Sequence, residues 1–482
     1  MEFMALGGAL DPSGVKSPIG GSCYALIHKN AAFVTDFGAY YLSEQDRAKQ
    51  ANQIVSFEET ERPRRFSFET RRIGKWDLPI MPSLDEILAR NDTNRISDKE
   101  IPNEEVFQKA ENVSLLATHG HVDHIGALPY LKKKYPHIKI FMTAETRRIC
   151  EWSWKDYLKI CQRETRPRLF SSWDVDDDFL KSIHIISAGD IVDMDPFSVQ
   201  FFHAGHILGA VSALVIVGNT KVFFSGDMSF QDQRTVKGAQ IPDEKVDYIV
   251  SESTYADGRV TNRKSIEWDL IKDVRRCLED GGKVLFPALA IGRSQEVYAV
   301  LKDAGITDEF PVYLDGAAQD LAKIYKESNA IHKDVSSHFV SNKHARKSLI
   351  SSHEPLIMIA PSGMLTGGFA VEYAKRWANN ENNLFAFTSY QDSCSPGSFL
   401  YRARQEQKRK VRICGKLVRL CASVAKYSLS SHMNSLEILR MIERLSPRHT
   451  FLVHGEERGM NGFIASSGIR ASKTEINTPH NL

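Results

Sequence analysis

The sequence lacks the features that mark disulfide-bonded, secreted or membrane-spanning proteins. Its seven cysteines are scattered, odd in number and without a Cys-x-x-Cys pair, which argues against a disulfide framework and against a thiolate zinc site. No apolar run approaches the roughly 18 residues of a membrane span, and the first residues lack the basic flank and apolar core of a signal peptide. We therefore expect a cytoplasmic protein with no membrane partner.

An excess of either charge is also missing. The chain has 62 Lys and Arg against 60 Asp and Glu in 482 residues, a formal net charge of +2. That balance neither requires nor excludes a nucleic-acid partner, because a local basic groove can lie on a nearly neutral protein. The hydrophobic fraction of 42% is typical of a soluble globular protein, and the length favours two domains over a single core.

The sequence pattern changes twice along the chain. Short β-type runs punctuated by Gly and Asp dominate up to about Tyr255, and longer helix–strand units with buried strands follow. Such units predict a parallel α/β sheet. We predict a first domain formed by residues 1–255 and 425–482, with a second domain of residues 256–424 inserted into it. Residues 41–110 are expected to be a charged, partly helical surface insertion without an assigned role.

One loop concentrates side chains that bind metals. Residues 118 to 126 read THGHVDHIG and directly follow a predicted buried strand. Imidazole nitrogens and carboxylate oxygens are ligands that zinc prefers in proteins. Alternate residues of such a loop can turn the same way, so we expect His119 and His121 to bind one ion while Asp123 and His124 face a second. Solvated loop histidines are the alternative.

Three further donors follow β-type runs elsewhere in the chain. His206 lies in AGHILGA, Asp227 in FFSGDMS and His454 in FLVHGE. Each one alone is weak evidence, because a polar residue at a strand end is often only a terminus. Together with the loop they make seven donors, and two zinc ions about 3.5–4 Å apart can hold the attacking and leaving oxygens of a phosphoryl transfer. A whole predicted domain separates Asp227 from His454, which suggests that this domain covers the site and holds a long substrate.

Further motifs complete an ordered set along the chain: Asp36, the HxHxDH loop, His206, Asp227, ESTY with Glu252, GGKVLFPALAIGRSQE (281–296), PSGMLTGG (361–368), LSSHMN with His432, and LVHGE with His454. This set resembles the metallo-β-lactamase superfamily and, within it, the β-CASP nucleases, which include ribonuclease J and the prokaryotic cleavage-and-polyadenylation-type endonucleases. The resemblance covers most of the chain outside residues 41–110 and the C-terminal end. It implies an α/β fold, a metallo-β-lactamase αββα sandwich with an inserted β-CASP α/β domain.

The resemblance implies a zinc-dependent ribonuclease. It would hydrolyse RNA phosphodiester bonds with a hydroxide activated by two metals, cutting internally, in the 5′→3′ direction from an end, or both, and would leave 5′-phosphate and 3′-hydroxyl ends. Two Zn²⁺ per chain are expected. The implied ligands are His119, His121 and His206 for one ion and Asp123, His124 and His454 for the other, with Asp227 between them.

The same likeness implies roles for residues around the metals. Asp123, His432 and Glu252 are the implied catalytic residues: His432 would contact the scissile phosphate and protonate the leaving oxygen, and Glu252 would orient it. Asp36 is expected to steady the metal loop. One departure stands at Met433-Asn434, where the family has a small residue and an aspartate; loss of that carboxylate would weaken either a local helix cap or a hydrogen bond around the metal ligands.

Single-stranded RNA is the implied partner, because a histidine at the position of His454 is typical of the RNA-processing members of the family. Ser362, Gly363 and Met364 resemble a phosphate-facing loop, for which a tight structural turn is the competing explanation. The basic run at 408–412 is a weaker candidate for RNA contact.

Two other functions remain open at this point. A hydrolase of small esters or lactams would not need the inserted domain, and a non-catalytic RNA-binding subunit would be expected to have lost metal ligands. The sequence keeps all seven donors. Neither internal nor terminal cutting is favoured by the sequence, and a homodimer is compatible with it.

Overall fold

The structure is a computed structural model, and it describes residues 1–10, 21–39, 55–57, 102–165, 167–258, 262–391, 395–413 and 415–482. Over these ranges, none of the helices combines the length and the apolar character that crossing a membrane requires. The prediction of an insertion at residues 41–110 falls largely outside the described residues. Only a short strand and a short helix of that segment are described.

The first sheet has seven strands. In spatial order these are Pro479–Asn481 (β22), Glu2–Gly7 (β1), Cys23–His28 (β2), Ala31–Thr35 (β3), Asn112–Leu116 (β5), Lys139–Thr143 (β6) and His184–Ile186 (β7). β22, β1, β2 and β3 pair antiparallel, whereas β3, β5, β6 and β7 pair parallel.

The second sheet also has seven strands and mixes the two pairing modes. In spatial order they are Ala471–Lys473 (β21), His449–Val453 (β20), Tyr248–Glu252 (β12), Thr220–Phe224 (β11), Val211–Val217 (β10), Phe197–His203 (β9) and Ile191–Met194 (β8). β21, β20, β12 and β11 are parallel neighbours, and β11 to β8 are antiparallel.

The two sheets pack face to face through aromatic side chains. Phe33 of the first sheet lies 5.8 Å from Phe224 and 6.2 Å from Phe197 of the second, measured between ring centroids. Phe3 and Phe451 approach to 4.8 Å in the same layer. Successive side chains of a strand point to opposite faces, so each sheet also presents an outer apolar face that needs a cover.

Helices cover both outer faces. Leu128–Lys134 (α3) and Ala144–Glu164 (α4) bury Leu128 and Trp154 against the first sheet. Ser435–Leu445 (α13) and Glu457–Ser467 (α14) cover the second sheet. The predicted αββα sandwich is therefore confirmed.

A third, five-stranded sheet is parallel throughout. Helices pack on both of its faces: Arg263–Glu279 (α6), Arg293–Asp303 (α7) and Ala317–Glu327 (α9) on one, and Gly368–Trp377 (α11) and Pro396–Gln405 (α12) on the other. Burial on both faces explains the continuous apolar runs of these strands. The strands, in spatial order, are Val312–Leu314 (β14), Leu356–Ala360 (β15), Lys283–Pro287 (β13), Leu384–Phe387 (β16) and Ser423–Lys426 (β19).

The remaining described elements are short. A small antiparallel sheet joins Lys416–Arg419 (β18), Lys410–Ile413 (β17) and Val55–Phe57 (β4). The other helices are Glu105–Lys109 (α1), Val122–Ile125 (α2), Asp177–Lys181 (α5), Ile306–Glu309 (α8) and Lys343–Ser351 (α10), with 3₁₀ turns at Ser172–Val175 and Lys333–His338.

The chain path between the sheets matters for the site. The chain leaves the second sheet after β12, builds the five-stranded sheet, and returns as β20, which pairs directly with β12. Glu252 at the end of β12 is thereby the register partner of Val453. The last strand of the five-stranded sheet, β19, extends across the predicted domain boundary at residue 424.

The aromatic layer between the sheets generates a stability prediction. Phe33→Ala removes a ring that is fully buried, and we expect the free energy of unfolding to fall by about 3–5 kcal/mol because a cavity is left in a packed core. Urea denaturation measures this change. As a control, Ile191→Ala alters an aliphatic side chain that is 67% exposed and should change stability by less than about 0.5 kcal/mol. Equal losses in both variants would contradict this description of the core.

Candidate metal centre

The candidate metal ligands follow strand ends along one edge of the sandwich. β5 leads into the histidine-rich loop, β9 ends just before His206, β11 precedes Asp227 and β20 precedes His454. β11, β12 and β20 are parallel neighbours, so their carboxyl ends lie at the same edge of the sheet. Residues that are distant in the chain are thereby brought together.

The histidine-rich loop changes to helix inside the motif. His119 and His121 precede α2, while Asp123 and His124 lie in its single turn. His119, Asp123 and His124 are buried. Burying such polar groups is unfavourable unless each one finds a partner.

The first group of donors consists of His119, His121, His206 and Asp227, whose donor atoms all lie within 4.8 Å of one another. Nε2 of His119 and Nε2 of His206 are each 3.1 Å from Nδ1 of His121. Oδ2 of Asp227 lies 3.5 Å from Nε2 of His119 and 3.6 Å from Nε2 of His206. The structure therefore brings together the set predicted for one ion.

His206 has a hydrogen bond that determines which ring nitrogen faces this group. Its Nδ1 lies 2.8 Å from the backbone carbonyl oxygen of Ser431. A carbonyl can only accept, so Nδ1 carries the hydrogen and Nε2 of the neutral ring turns a lone pair toward the group. Burial and the neighbouring His432 hold the pKa of His206 well below its usual value, so this ring is neutral.

A glycine allows His206 to take this position. Gly205 has a φ of +70°, and a Cβ there would lie 2.2 Å from the carbonyl oxygen of Ser229. Only glycine avoids both the backbone strain and the clash. The AGHILGA motif therefore has a steric reason for the residue before its histidine.

The second group consists of Asp123, His124 and His454. Oδ2 of Asp123 lies 3.5 Å from Nε2 of His454 and 3.8 Å from Nε2 of His124. Asp227 contacts this group as well, because its Oδ2 is 3.4 Å from Nε2 of His124 and its Oδ1 is 3.4 Å from Nδ1 of His454. Asp227 thus stands between the two groups.

Asp36 is hydrogen-bonded to both ends of the histidine-rich loop, at Thr118 and at His124. One carboxylate oxygen accepts from the backbone N–H of Thr118 at 2.8 Å, and the other lies 2.9 Å from Nδ1 of His124. With Nδ1 of His124 donating to Asp36, Nε2 is the nitrogen that faces Asp227. Burial opposes protonation of His124, but Asp227 and Asp36 raise its pKa well above the usual value in the protein without metal.

His432 and Glu252 form a hydrogen-bonded pair beside Asp227. Nδ1 of His432 donates to Oε2 of Glu252 at 2.8 Å. Glu252 is itself held by the backbone N–H of Met228 at 2.8 Å and the hydroxyl of Thr254 at 2.7 Å. Burial would lower the pKa of His432, but Glu252 and Asp227 raise it to about 9. The ring of His432 is 4.5 Å from that of His206, between centroids.

The departure from the family pattern at Met433-Asn434 has a structural answer. The side chain of Asn434 accepts from the N–H groups of Leu436 and Glu437 at 3.0 and 3.1 Å, and the Glu437 carboxylate accepts from the Asn434 N–H at 3.0 Å. This is a complete capping box at the start of α13. The expectation of a weakened cap was wrong, because an amide oxygen caps a helix as well as a carboxylate does.

The predicted phosphate loop lies at the carboxyl end of the five-stranded sheet. Ser362, Gly363 and Met364 follow β15, where the Gly363 carbonyl accepts from the Gln391 side chain at 2.9 Å. The Ser362 hydroxyl accepts from the N–H of Thr366 at 2.9 Å. The loop is therefore a hydrogen-bonded turn at the end of a parallel sheet, where ligands commonly bind. Phosphate contact by this loop stays a prediction.

The side chains at the sandwich edge fit divalent cations. The bonds of His206 to the Ser431 carbonyl and of His124 to Asp36 turn the other ring nitrogen of each histidine toward the Asp227 carboxylate. A nitrogen lone pair and a carboxylate repel each other unless a cation or a proton lies between them. Nδ1 of His121 lies 3.1 Å from a nitrogen of both His119 and His206, so three imidazole nitrogens face one another as ligands of one ion would. Imidazole and carboxylate are the donors that zinc takes most often after thiolate.

Comparison with known families gives three matches in chain order. The metallo-β-lactamase superfamily matches residues 113–288, the β-CASP domain residues 294–400, and the Zn-dependent metallo-hydrolase RNA specificity domain residues 418–478. A probable RNase (MJ4) of Methanocaldococcus jannaschii is 30% identical over 70% of this chain and 81% of that relative. The chain belongs to the β-CASP group of the metallo-β-lactamase superfamily. The resemblance drawn from the motifs is confirmed.

Other relatives of this β-CASP protein are longer. An Integrator complex subunit 11 homolog of Dictyostelium discoideum is 27% identical over 82% of this chain but 56% of its own length. Transcription termination factor FttA of Pyrococcus abyssi is 31% identical over 77% of this chain and 61% of its own length. The chain thus spans little more than half the length of these relatives. A crystal structure of a protein of unknown function from Enterococcus faecalis V583 shares the fold, with a TM-score of 0.55 at 10% identity over 99% of this chain and 98% of that one.

Some residues that shape the centre were absent from the sequence-based predictions. Thr118 anchors Asp36, Thr254 anchors Glu252, and the carbonyl of Ser431 fixes His206. Thr254 and Ser431 lie inside the ESTY and LSSHMN motifs, so motif membership was an available signal. That signal marks the position of Ser431 but not the role of its backbone carbonyl, because every residue has a carbonyl, so its bond to His206 needed the structure.

The His432–Glu252 pair generates a prediction about titration. In the metal-free protein, Glu252→Gln should lower the pKa of His432 from about 9 toward or below the ordinary 6.5, because the largest influence that favours the charged ring is removed while burial remains. NMR titration of the histidine ring measures it. The exposed Glu443→Gln on α13 is the control and should leave that pKa in place. An unchanged value in Glu252→Gln would contradict the pairing.

Proposed function

We propose that this protein is a metal-dependent ribonuclease that hydrolyses phosphodiester bonds of RNA. The observation that carries the proposal is Asp227, which stands between two groups of nitrogen and oxygen donors and beside the His432–Glu252 pair. A donor arrangement with one shared carboxylate suits two cations acting on one phosphate. The match to an RNA specificity domain and the relative named as a probable RNase support RNA as the substrate.

Two zinc ions per chain are the cofactors that we propose. His119, His121 and His206 would hold one, Asp123, His124 and His454 the other, and Asp227 both. When bound, the ions would stabilise negative charge on the phosphate and lower the pKa of a nearby water. Asp36 would keep the ring of His124 in the required orientation, as outer carboxylates do for ligating histidines.

His432 would act on the leaving group. Its Nδ1–H is held by Glu252, which leaves Nε2 as the ring nitrogen on the other side, and the charged ring is favoured in this environment. A protonated imidazole can donate a hydrogen bond to a phosphate oxygen and pass a proton to the leaving 3′ oxygen. Glu252 would position His432 and balance its charge. The products would carry 5′-phosphate and 3′-hydroxyl ends.

RNA would be held mainly by the segment between β12 and β20. The Ser362–Met364 loop presents hydroxyl and backbone groups at a sheet edge, and such groups contact phosphates without regard to sequence. Exposed Lys410 and Arg412 of β17 add positive charge. Division of the chain at residues 255 and 424 stays a prediction, supported by the separate five-stranded sheet. Single-stranded RNA suits this mode of binding, because one of its phosphates must reach a buried metal centre.

The proposal extends to the location and assembly of the protein. The described cysteines Cys23, Cys150, Cys161, Cys277 and Cys421 are all free, which is typical of a reducing compartment and supports a cytoplasmic location. A homodimer stays a prediction.

Incubation with labelled RNA and with a chromogenic ester tests the function. We expect the zinc-loaded protein to cleave RNA and not the ester, and we expect chelation to stop cleavage until zinc is restored. Cleavage of the ester alone would favour a small-molecule hydrolase, and RNA binding without any cleavage would favour a non-catalytic subunit. Circular RNA separates the two modes of cutting, because it has no end: its cleavage requires internal cutting.

Substitution of the shared carboxylate gives a second test. Asp227→Ala should lower kcat on RNA by more than about 10³-fold, because both donor groups lose a ligand worth several kcal/mol and each 1.36 kcal/mol is tenfold in rate. RNA binding, measured by filter retention, should change little. Asp243→Ala, whose side chain is 97% exposed, is the matched control and should keep full activity. Full activity in Asp227→Ala would refute the two-cation arrangement.

A further inference from the structure

A buried ionic cluster lies between the five-stranded sheet and the metal edge. Glu296 in the first turn of α7 is completely buried, and it ends the GRSQE part of the 281–296 motif, which the proposed function leaves without a role. Arg263 on α6 contacts both Glu296 and Glu267. Arg234, from the loop after Asp227, contacts Glu267 at 2.7 Å. The cluster thus joins helices of the inserted segment to a loop of the sandwich.

Glu296 binds the sandwich loop through the main chain. Its Oε1 accepts from the N–H of Arg234 at 2.9 Å, and its Oε2 accepts from the N–H and the hydroxyl of Thr235 at 3.0 and 2.8 Å. The Arg263 guanidinium adds a further donor to Oε1. Every group that faces this carboxylate in these bonds is a donor, so only an anionic side chain with two accepting oxygens satisfies them all.

One route from Glu296 leads to the backbone of His206. The turn that Glu296 holds also contains Gln233, whose N–H bonds to the Val236 carbonyl at 2.9 Å. The Gln233 side-chain amide donates to the carbonyls of Gly205 and His206, each at 2.9 Å. The position of the turn therefore determines where the main chain of His206 lies.

A second route leads from Glu296 through Arg263 to His432. Arg263 donates to the Ser430 carbonyl at 3.4 Å, and the Ser430 hydroxyl accepts from the N–H of His432 at 3.0 Å. Arg293, in the same turn of α7 as Glu296, donates to the Ser431 hydroxyl at 3.4 Å, and the Ser431 carbonyl bonds to Nδ1 of His206. The first route therefore reaches His206 of the first donor group, and the second reaches His432 beside it.

From this geometry we propose that Glu296 is a positioning residue for the metal centre. It couples the inserted segment to the sandwich by fixing the loops that orient His206 and His432. The catalytic consequence of this role rests on the proposed function. The effect of Glu296 on cation binding does not depend on what the substrate is. Residues that orient a ligating histidine from outside typically change metal affinity by about 10–100-fold when replaced.

The test compares Glu296→Gln with Glu267→Gln. Both remove one carboxylate charge from the same buried cluster and keep side-chain volume, but Glu267 makes no bond to the 234–235 backbone in the contacts that define the cluster. Glu296→Gln also turns an NH₂ group toward donors. Titration of the metal-free proteins with Zn²⁺ against a competing chelator should show one of the two ions bound at least about tenfold more weakly in Glu296→Gln. In Glu267→Gln both affinities should stay within about twofold of the wild type.

Kinetics on RNA supply the second readout. Glu296→Gln should lower kcat while KM stays within about twofold, because the orientation of the reacting groups changes and the RNA contacts do not. If Glu296→Gln and Glu267→Gln have equal zinc affinities, or if Glu296→Gln binds zinc as the wild type does, the inference is overturned. A wild type that binds zinc but cleaves no RNA would instead refute the proposed function, and the zinc titrations would still decide the role of Glu296.

A milder variant covers the case in which Glu296→Gln does not fold. Thr235→Val removes only the hydroxyl that donates to Oε2 and keeps the N–H. One lost hydrogen bond should weaken the same ion by about twofold to tenfold. Zinc affinity that is unchanged in Thr235→Val would overturn the inference in that case.

Discussion

The structure depends on the burial of one carboxylate, Asp227, among imidazoles supplied by four separate segments of the chain. Burial alone would raise the pKa of Asp227, yet the nearby His454 and His124 hold it well below its usual range. Such a group is tolerated in an interior only when compensating charge surrounds it. The strands of the two sheets end at one edge of the sandwich, and this arrangement brings histidines that are far apart in the sequence next to Asp227.

The pairing of β12 with β20 leaves the chain free to insert a long segment between them. A site that needs β12 and β20 side by side can accept any length of chain between them, because their pairing is set by the sheet register and not by the connection. The chain uses this freedom to build a parallel sheet whose carboxyl edge carries the Ser362–Met364 loop. The proposed RNA contacts and the candidate metal ligands thus lie on different sheets, and the Glu296 cluster connects the two.

Hydrogen bonds from residues around the candidate ligands determine how the histidine rings are oriented. Asp36, Glu252 and the Ser431 carbonyl each fix one nitrogen of a histidine and so direct the other. These partners come from strand ends and motif loops that also carry the candidate ligands. A single motif can therefore contain both a candidate metal ligand and a residue that orients a histidine from another motif. For this reason the motifs include more residues than the ligands themselves.

The sequence by itself identified seven candidate donors after predicted strands and predicted the parallel inserted sheet, because β-type runs, strand ends and residue chemistry are local properties. The αββα sandwich was implied by the family resemblance. The same resemblance identified Glu252 and His432 as a pair. Only the tertiary structure decided which nitrogen of each histidine faces the centre, that Asn434 caps α13, and that Glu296 reaches the backbone of Arg234 and Thr235. Those facts depend on contacts between residues far apart in the chain, and on backbone carbonyls and amides that every sequence possesses, so no residue pattern could reveal them.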